Sequence, residues 1–180
     1  MIEVEVKVRL SHDGIETEID DIGAKFSGSE EQIDVYYGAP HRDFSATDEA
    51  LRIRTVTSES ISKDIITYKG PKIDSESKTR EEVEVGIEDK VEMDRMLTLL
   101  GFSKVYEVSK TRRNYRIGDI MISLDDVKGL GSFMEVETTS DEAALLSKKE
   151  KVFSILNALG YDKVDVIRTS YLELLLENEE

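Results

Sequence analysis

The sequence contains no cysteine and only two prolines among its 180 residues. Without cysteine, the chain can form neither a disulfide framework nor a thiolate metal site. It also lacks low-complexity tracts, and no apolar run approaches the roughly 20 residues that a membrane-spanning helix needs. Because the chain opens directly into an acidic alternating segment, we expect no secretory signal peptide and a cytoplasmic protein.

Positive charge is scarce as well, since 24 Lys and Arg residues stand against 39 Asp and Glu residues, for a formal net charge of −15. Such a surface repels nucleic-acid backbones and anionic membranes, so we expect neither as a partner. Any polyanion that this chain binds must therefore meet a local concentration of the few cations. The length and the 39% hydrophobic content are typical of a folded protein, and we expect a single domain over residues 1–180.

Alternation of apolar and charged residues predicts a series of strands. In residues 2–9, the even positions are apolar and the odd positions are charged, which gives the strand one apolar face and one ionised face. Further strands are predicted at 32–37, 51–54, 65–69, 78–85, 104–115, 120–127 and 133–138. Helices are predicted within 11–22, 89–100, 142–159 and 170–176. Many strands with few helices indicate an α+β domain built on an antiparallel sheet.

The ionised faces of these strands have two interpretations. They could be the solvated face of a sheet whose apolar face forms the core, which is the usual arrangement. However, several strands carry charges of one sign only, and the helices offer apolar faces that could cover the sheet from outside. Those two features favour a closed barrel with its ions inside, where water, metal and ligand solvate them.

Such an interior would suit a triphosphate with its metal ion. Carboxylates are hard oxygen ligands for Mg²⁺ or Mn²⁺, and the candidates are Glu3, Glu5, Glu135 and Glu137. Lysine and arginine neutralise phosphate oxygens, arginine with two hydrogen bonds at once. The candidate phosphate-binding residues are Lys7, Arg52, Arg54, Lys69, Arg80, Lys110 and Arg112.

Several ordered motifs carry a family resemblance across nearly the whole chain. They are Glu3-x-Glu5-x-Lys7, Gln32-x-Asp34-x-Tyr36-Tyr37, Asp48-Glu49-Ala50-Leu51-Arg52-Ile53-Arg54, Thr67-Tyr68-Lys69-Gly70-Pro71-Lys72, Lys78-x-Arg80-Glu81-Glu82-x-Glu84, Lys110-x-Arg112 and the segment from Leu124 to Glu137. Together they resemble the CYTH superfamily, which joins class IV adenylyl cyclases with thiamine and inorganic triphosphatases.

The resemblance implies a fold and a set of residue roles. The fold would be a closed eight-stranded antiparallel β-barrel, the triphosphate tunnel, with helices packed outside. Glu3, Glu5 and the Glu135/Glu137 pair would hold Mg²⁺ or Mn²⁺, and the cations named above would bind phosphate. Asp125, Lys7 and Lys110 would be the catalytic residues, and Arg168 would be a late basic residue. Family members often dimerise, so the resemblance leaves a homodimer open.

The resemblance also implies a metal-dependent enzyme acting on a nucleoside triphosphate or another triphosphate. The stretches at 32–37, 68–72 and 128–133 resemble the class IV cyclase branch, which converts ATP to cyclic AMP and pyrophosphate. An inorganic or thiamine triphosphatase that releases orthophosphate is the alternative. A noncatalytic module that binds nucleotides or polyphosphate is a second alternative. The two histidines, His12 and His41, are predicted to be surface residues.

Overall fold

The computed structural model describes residues 2–11, 14–59 and 61–179, and eight antiparallel strands close into a barrel at its centre. The strands are β1 (Ile2–Arg9), β2 (Lys25–Gly38), β3 (Ala50–Ser58), β4 (Ile61–Lys72), β5 (Arg80–Ile87), β6 (Ser103–Ile117), β7 (Ile120–Val127) and β8 (Gly131–Ser140). Around the barrel they follow the order β1-β5-β4-β3-β2-β6-β7-β8. The predicted fold class is confirmed.

Helices lie outside this barrel. They are α1 (Ile15–Asp21), α2 (Lys90–Leu99), α3 (Leu145–Ala158) and α4 (Tyr171–Glu179), with a short 3-10 helix over Lys163–Asp165. Among the helices of the described residues, none is long and apolar enough to span a membrane.

The apolar face of β1 points away from the barrel interior and into a core shared with α1 and α3. Val4, Val6 and Val8 are fully buried there. They belong to one cluster with Ile19 of α1 and Leu156 of α3, together with apolar residues of β7 and β8. Since period-2 alternation puts the other residues of each strand on the opposite face, this external core leaves the charged side chains to the interior.

Two smaller clusters attach the remaining helices to the barrel wall. Tyr171 and Leu175 of α4 pack with Phe133 at the beginning of β8. Leu97 of α2 packs with Ile53 of β3 on the other side of the barrel. Helix α2 therefore covers part of the outer surface. Helix α4 instead packs at the end of the barrel where β8 begins, and its Tyr171 lines the barrel cavity.

The barrel closes through a short seam between β1 and β5. Among the described residues, these strands pair in register at Ile2 with Glu81 and at Glu3 with Arg80 and nowhere else. Beyond them, the N–H of Lys78 donates to the carbonyl of Glu5 (2.9 Å), and the N–H of Ile167 donates to the carbonyl of Lys7 (2.7 Å). Strand β5 begins at Arg80 and does not pair with the rest of β1. The loop before β5 and the segment before α4 therefore donate the hydrogen bonds that the carbonyls of Glu5 and Lys7 need.

The external core predicts a large stability effect at α3. We expect Leu156→Ala to lower the free energy of unfolding by about 2–5 kcal/mol, because Leu156 is fully buried and its truncation leaves a cavity. Leu146 lies on the same helix and is 77% exposed, so Leu146→Ala should change that free energy by no more than about 0.5 kcal/mol. Urea unfolding of both variants is the measurement. Equal losses would mean that α3 is not packed as described.

Candidate active site

The barrel encloses a cavity of about 640 Å³, and side chains of all eight strands contribute to its lining. This volume falls within the roughly 300–1,000 Å³ typical of small-molecule sites. The lining is dominated by ionised residues of both signs. The prediction that the charged strand faces converge inside a closed barrel is confirmed.

Three carboxylates form a compact group on one wall of this cavity. Glu3, Glu5 and Glu137 each offer an oxygen, and these oxygens all lie within 4.8 Å of one another. Glu3 and Glu5 share the inner face of β1, and Glu137 of β8 is paired in register with Glu5. Such a set of hard oxygen donors is suited to Mg²⁺ or Mn²⁺.

The electrostatics of this group also fit a cation. Burial raises the pKa of Glu137 to about 8, with Glu3 and Glu5 acting in the same direction and Arg112 opposing them. Burial, followed by the charge of Glu135, raises the pKa of Glu5. Burial also raises the pKa of Glu3. Crowded carboxylates lose this mutual repulsion when a divalent ion lies between them, so the donor set matches the metal that the sequence predicts.

Glu135, the fourth predicted metal ligand, has different partners. It accepts a hydrogen bond from Nη2 of Arg112, and Nζ of Lys78 lies 3.8 Å from it. Burial alone would raise its pKa, but Lys110 and Arg112 hold that pKa well below the usual range. The structure therefore groups Glu137 with the two β1 carboxylates and pairs Glu135 with cations. The metal-binding role predicted for Glu135 stays a prediction.

On the wall opposite β1, Asp34 of β2 holds two arginines of β3. It accepts from Nε and Nη2 of Arg54 (2.6 and 2.7 Å) and from Nη1 of Arg52 (3.2 Å). Nε of Arg52 is buried and has no hydrogen-bond partner. Because buried donors are nearly always satisfied, this N–H is available to a group that enters the cavity. The phosphate-binding role predicted for Arg52 and Arg54 stays a prediction. Asp34 has no predicted role, although it belongs to the Gln32-x-Asp34-x-Tyr36-Tyr37 motif.

Lys69 and Arg80 line the same cavity. Nζ of Lys69 donates to Glu3 (2.9 Å) and to Glu82 (2.8 Å), so this lysine joins the cations to the three-carboxylate group. Nη1 of Arg80 donates to the carbonyl of Gly70 (3.3 Å). Both residues therefore lie in the predicted cavity, and their role in phosphate binding stays a prediction.

Lys78 is a site residue that the sequence analysis missed. Its Nζ donates to Glu5 (2.5 Å), beside the three-carboxylate group. The loop that carries it is held from outside by Arg168, which donates to the carbonyls of Asp74 (2.9 Å) and Ser77 (3.4 Å). Lys78 is two residues from Arg80 in the predicted strand 78–85, so both side chains lie on the same face of that strand. The sequence could therefore have predicted the inward direction of Lys78. Arg168 contacts the loop and does not line the cavity.

Lys110 and Arg112 reach the cavity from β6 and share Asp125 as a partner. Asp125 accepts from Nζ of Lys110 (2.8 Å) and from Nε and Nη2 of Arg112 (2.6 Å each). It also accepts from the hydroxyl of Tyr171 (2.9 Å). Burial opposes ionisation of Asp125, but Lys110 and Arg112 lower its pKa. Asp125 therefore accepts hydrogen bonds from three side chains, and it is not among the described residues that line the cavity.

Lys7, the third predicted catalytic residue, lies under Tyr171 of α4. Its Nζ donates to the carbonyl of Thr169 and lies 4.1 Å from the centre of the Tyr171 ring. Burial, followed by the ammonium of Lys78, lowers the pKa of Lys7 to about 7. Like Asp125, Lys7 is absent from the lining of the cavity among the described residues. Its predicted roles in catalysis and phosphate binding stay predictions.

The histidines lie away from these groups. His41 is exposed on the loop between β2 and β3, with its ring centre 6.4 Å from that of Phe102. This agrees with the predicted surface position. His12 lies outside the described residues.

Comparison with known proteins agrees with this architecture. A family model described as the CYTH domain matches residues 1–171. A Methanocaldococcus jannaschii protein provisionally named an adenylate cyclase is 44% identical over 179 residues, which make up 97% of this chain and 98% of that protein. The adenylate cyclase CyaB of Aeromonas hydrophila is 31% identical over 142 residues, or 78% of this chain and 70% of that protein.

A solved structure of a Pyrococcus horikoshii OT3 protein gives a TM-score of 0.90 at 43% identity, covering 98% of this chain and 99% of that chain. The family match spans nearly all of the sequence, and the barrel with its inward-facing ions is the fold that the resemblance implied. The chain therefore belongs to the CYTH domain family.

Proposed function

We propose that this protein is a divalent-metal-dependent enzyme that takes a triphosphate into the barrel and breaks one of its phosphoanhydride bonds. The observation that carries the proposal is the pairing, within one cavity, of a three-carboxylate group with cations on the facing wall. The first is suited to a hard metal ion and the second to a polyanion. Among the reactions open to such a site, we propose the conversion of ATP to cyclic AMP and pyrophosphate.

Two observations support the cyclase. Relatives that are 44% and 31% identical carry adenylate cyclase names, the first provisionally. In addition, the cavity lining includes the apolar side chains of Val56, Ile65 and Met121 besides its ions, and an organic group attached to the triphosphate could contact these. We also propose that residues 1–180 form one domain, since the family match covers residues 1–171.

In this proposal the barrel acts through position and charge. Arg52, Arg54 and Lys69 bind the phosphate oxygens and stabilise the charge that develops on the departing pyrophosphate. The 3′-oxygen of the ribose bonds to the α-phosphorus, the bond from that phosphorus to the bridging oxygen breaks, and the hydroxyl proton is released to water. A Mg²⁺ or Mn²⁺ ion held by Glu3, Glu5 and Glu137 would supply positive charge and lower the pKa of the attacking hydroxyl.

Lys110 and Arg112 have a second role in the proposal. Both line the cavity, and both are oriented by Asp125 through hydrogen bonds of 2.6–2.8 Å. A carboxylate that fixes two cations before the substrate arrives lowers the cost of ordering them on binding. Asp125 is therefore proposed to position these two residues, while Lys110 and Arg112 contact the phosphates.

Product analysis tests the proposal. The purified protein is incubated with Mg²⁺ or Mn²⁺ and with ATP, tripolyphosphate or thiamine triphosphate, and the products are separated by anion exchange. We expect cyclic AMP and pyrophosphate in equal amounts from ATP. Removal of the metal with EDTA should reduce this product to background, because the carboxylate group then has no cation to hold.

Other products would change the conclusion. Orthophosphate from tripolyphosphate or thiamine triphosphate, without cyclic AMP from ATP, would contradict the cyclase and favour a triphosphatase. Tight binding of all three compounds without turnover would contradict both enzymes and leave a binding module.

A further inference from the structure

Gln32 carries a buried hydrogen-bond acceptor that nothing in the barrel satisfies. It lies on the inner face of β2, lines the cavity and is 3% exposed. Its Nε2 donates to Oε1 of Glu30, whereas its Oε1 is buried without a hydrogen-bond partner. Buried polar atoms of native proteins are nearly always paired. This oxygen is therefore available to a donor on a bound ligand, which would replace any water that occupies the cavity beforehand.

The orientation of the amide follows from Glu30. An amide group can be turned by 180°, which exchanges its oxygen and nitrogen. Turning Gln32 in this way would set its oxygen against the Glu30 carboxylate, so that two acceptors faced each other at hydrogen-bond distance. Only the orientation with Nε2 toward Glu30 makes a bond, and the atom left unpaired is therefore an acceptor.

Phosphate oxygens do not satisfy this atom. At neutral pH they are themselves acceptors, and the neighbouring carboxylate of Glu30, which also lines the cavity, repels them. The nearby cation, Lys110, is paired with Gln32 in register but directs its Nζ to Asp125 and makes no bond to this oxygen. A hydroxyl or N–H group from outside the chain can supply the missing donor.

A hydrated metal ion is a less suitable donor than the substrate. The three-carboxylate group lies on β1 and β8. In the strand order of the barrel, β2 is four places from β1 among eight strands, which puts Gln32 on the opposite wall. Val56 of β3 is paired in register with Gln32 and also lines the cavity, so this wall combines an acceptor with an apolar side chain.

We propose that Oε1 of Gln32 accepts a hydrogen bond from a sugar hydroxyl of the substrate. Gln32 is then a specificity residue, and the barrel selects a nucleoside triphosphate over an inorganic triphosphate. The proposal rests on the proposed function, because it assumes that a triphosphate enters the cavity. It adds that the occupant has an organic part with a hydroxyl close to its phosphates, and it names the residue that recognises it.

Equilibrium binding measured by calorimetry in EDTA tests this proposal, because no hydrated metal ion is then present. The ligands are ATP, 2′-deoxy-ATP, 3′-deoxy-ATP and tripolyphosphate. We expect Gln32→Leu to weaken ATP binding about tenfold and tripolyphosphate binding less than about twofold, since only ATP offers the donor. Glu31→Leu, on the exposed face of the same strand, is the control and should leave both affinities unchanged.

The deoxy analogues give a second measurement that does not depend on the variant folding well. For the wild type, one analogue should bind about tenfold more weakly than ATP, and for that analogue Gln32→Leu should cause no further loss. Equal weakening of ATP and tripolyphosphate by the variant would overturn the proposal, as would wild-type affinities that are the same for ATP and both analogues. Wild-type protein that binds neither ATP nor tripolyphosphate, with or without Mg²⁺, would instead contradict the proposed function itself.

Discussion

Glu5→Gln is expected to lower kcat/KM at least about 10²-fold and to weaken Mn²⁺ binding. The reason is that Glu5 belongs to the three-carboxylate group with Glu3 and Glu137, and an amide is a much poorer ligand than a carboxylate for a hard divalent ion. Loss of a single preorganised charge-stabilising group typically costs 10²–10³ in rate. Steady-state kinetics with ATP and Mn²⁺ titration by electron paramagnetic resonance are the measurements.

Two further variants make this prediction specific. Glu137→Gln should behave like Glu5→Gln, because both residues belong to the same group. Glu81→Gln replaces an exposed carboxylate on β5 and should leave rate and Mn²⁺ affinity unchanged. If Glu5→Gln bound Mn²⁺ as tightly as the wild type while remaining folded, the metal would have to bind elsewhere, and the assignment of this group would be wrong.

Arg112→Met is expected to lower the free energy of unfolding by about 3–5 kcal/mol and to weaken triphosphate binding. Arg112 donates twice to Asp125 (2.6 Å each) and once to Glu135, and all three side chains are buried. Removal of one partner of a buried ion pair leaves an uncompensated charge, which is strongly destabilising. Urea unfolding gives the first quantity, and calorimetric titration with tripolyphosphate gives the second.

The neighbouring residue provides a matched control. Arg113 lies on the same strand but on the outer face, where it pairs with Glu16 at the surface, and the two side chains are 47% and 48% exposed. Exposed ion pairs contribute about 0–1 kcal/mol, so Arg113→Met should have a small effect on unfolding and none on binding. Similar losses for the two variants would show that the network around Asp125 is not what stabilises the barrel.

Strand alternation was enough to predict which side chains point into the barrel, although Lys7 and Asp125 point inward without lining the cavity. The period of two gave the inward direction of Glu3, Glu5 and Lys7 on β1 and of the arginine pair on β3, and the eight strands and closed barrel are confirmed. Boundaries were less accurate. Strand β2 begins at Lys25, seven residues before the predicted start, because residues 25–31 lack regular alternation and form a strand only through pairing with β6.

Relations between distant segments could not be predicted from the sequence. Glu135 and Glu137 lie on the same face of β8, so alternation does not distinguish them. Glu137 joins the carboxylate group because the strand register pairs it with Glu5. Similarly, Tyr171 belongs to a predicted amphipathic helix, but its contact with Asp125 depends on where that helix docks. Periodicity gives the direction of a side chain, whereas its partners depend on strand register and helix placement.

The position of a bound metal ion tests the central claim most directly. Crystals grown with Mn²⁺ and α,β-methylene-ATP, whose α–β bridge resists cleavage, would reveal manganese by anomalous scattering. We expect a manganese peak inside the barrel with oxygens of Glu3, Glu5 and Glu137 as ligands, and we expect the phosphates to lie against Arg52 and Arg54. Manganese or phosphates bound only outside the barrel, with this carboxylate group free of metal, would contradict this claim.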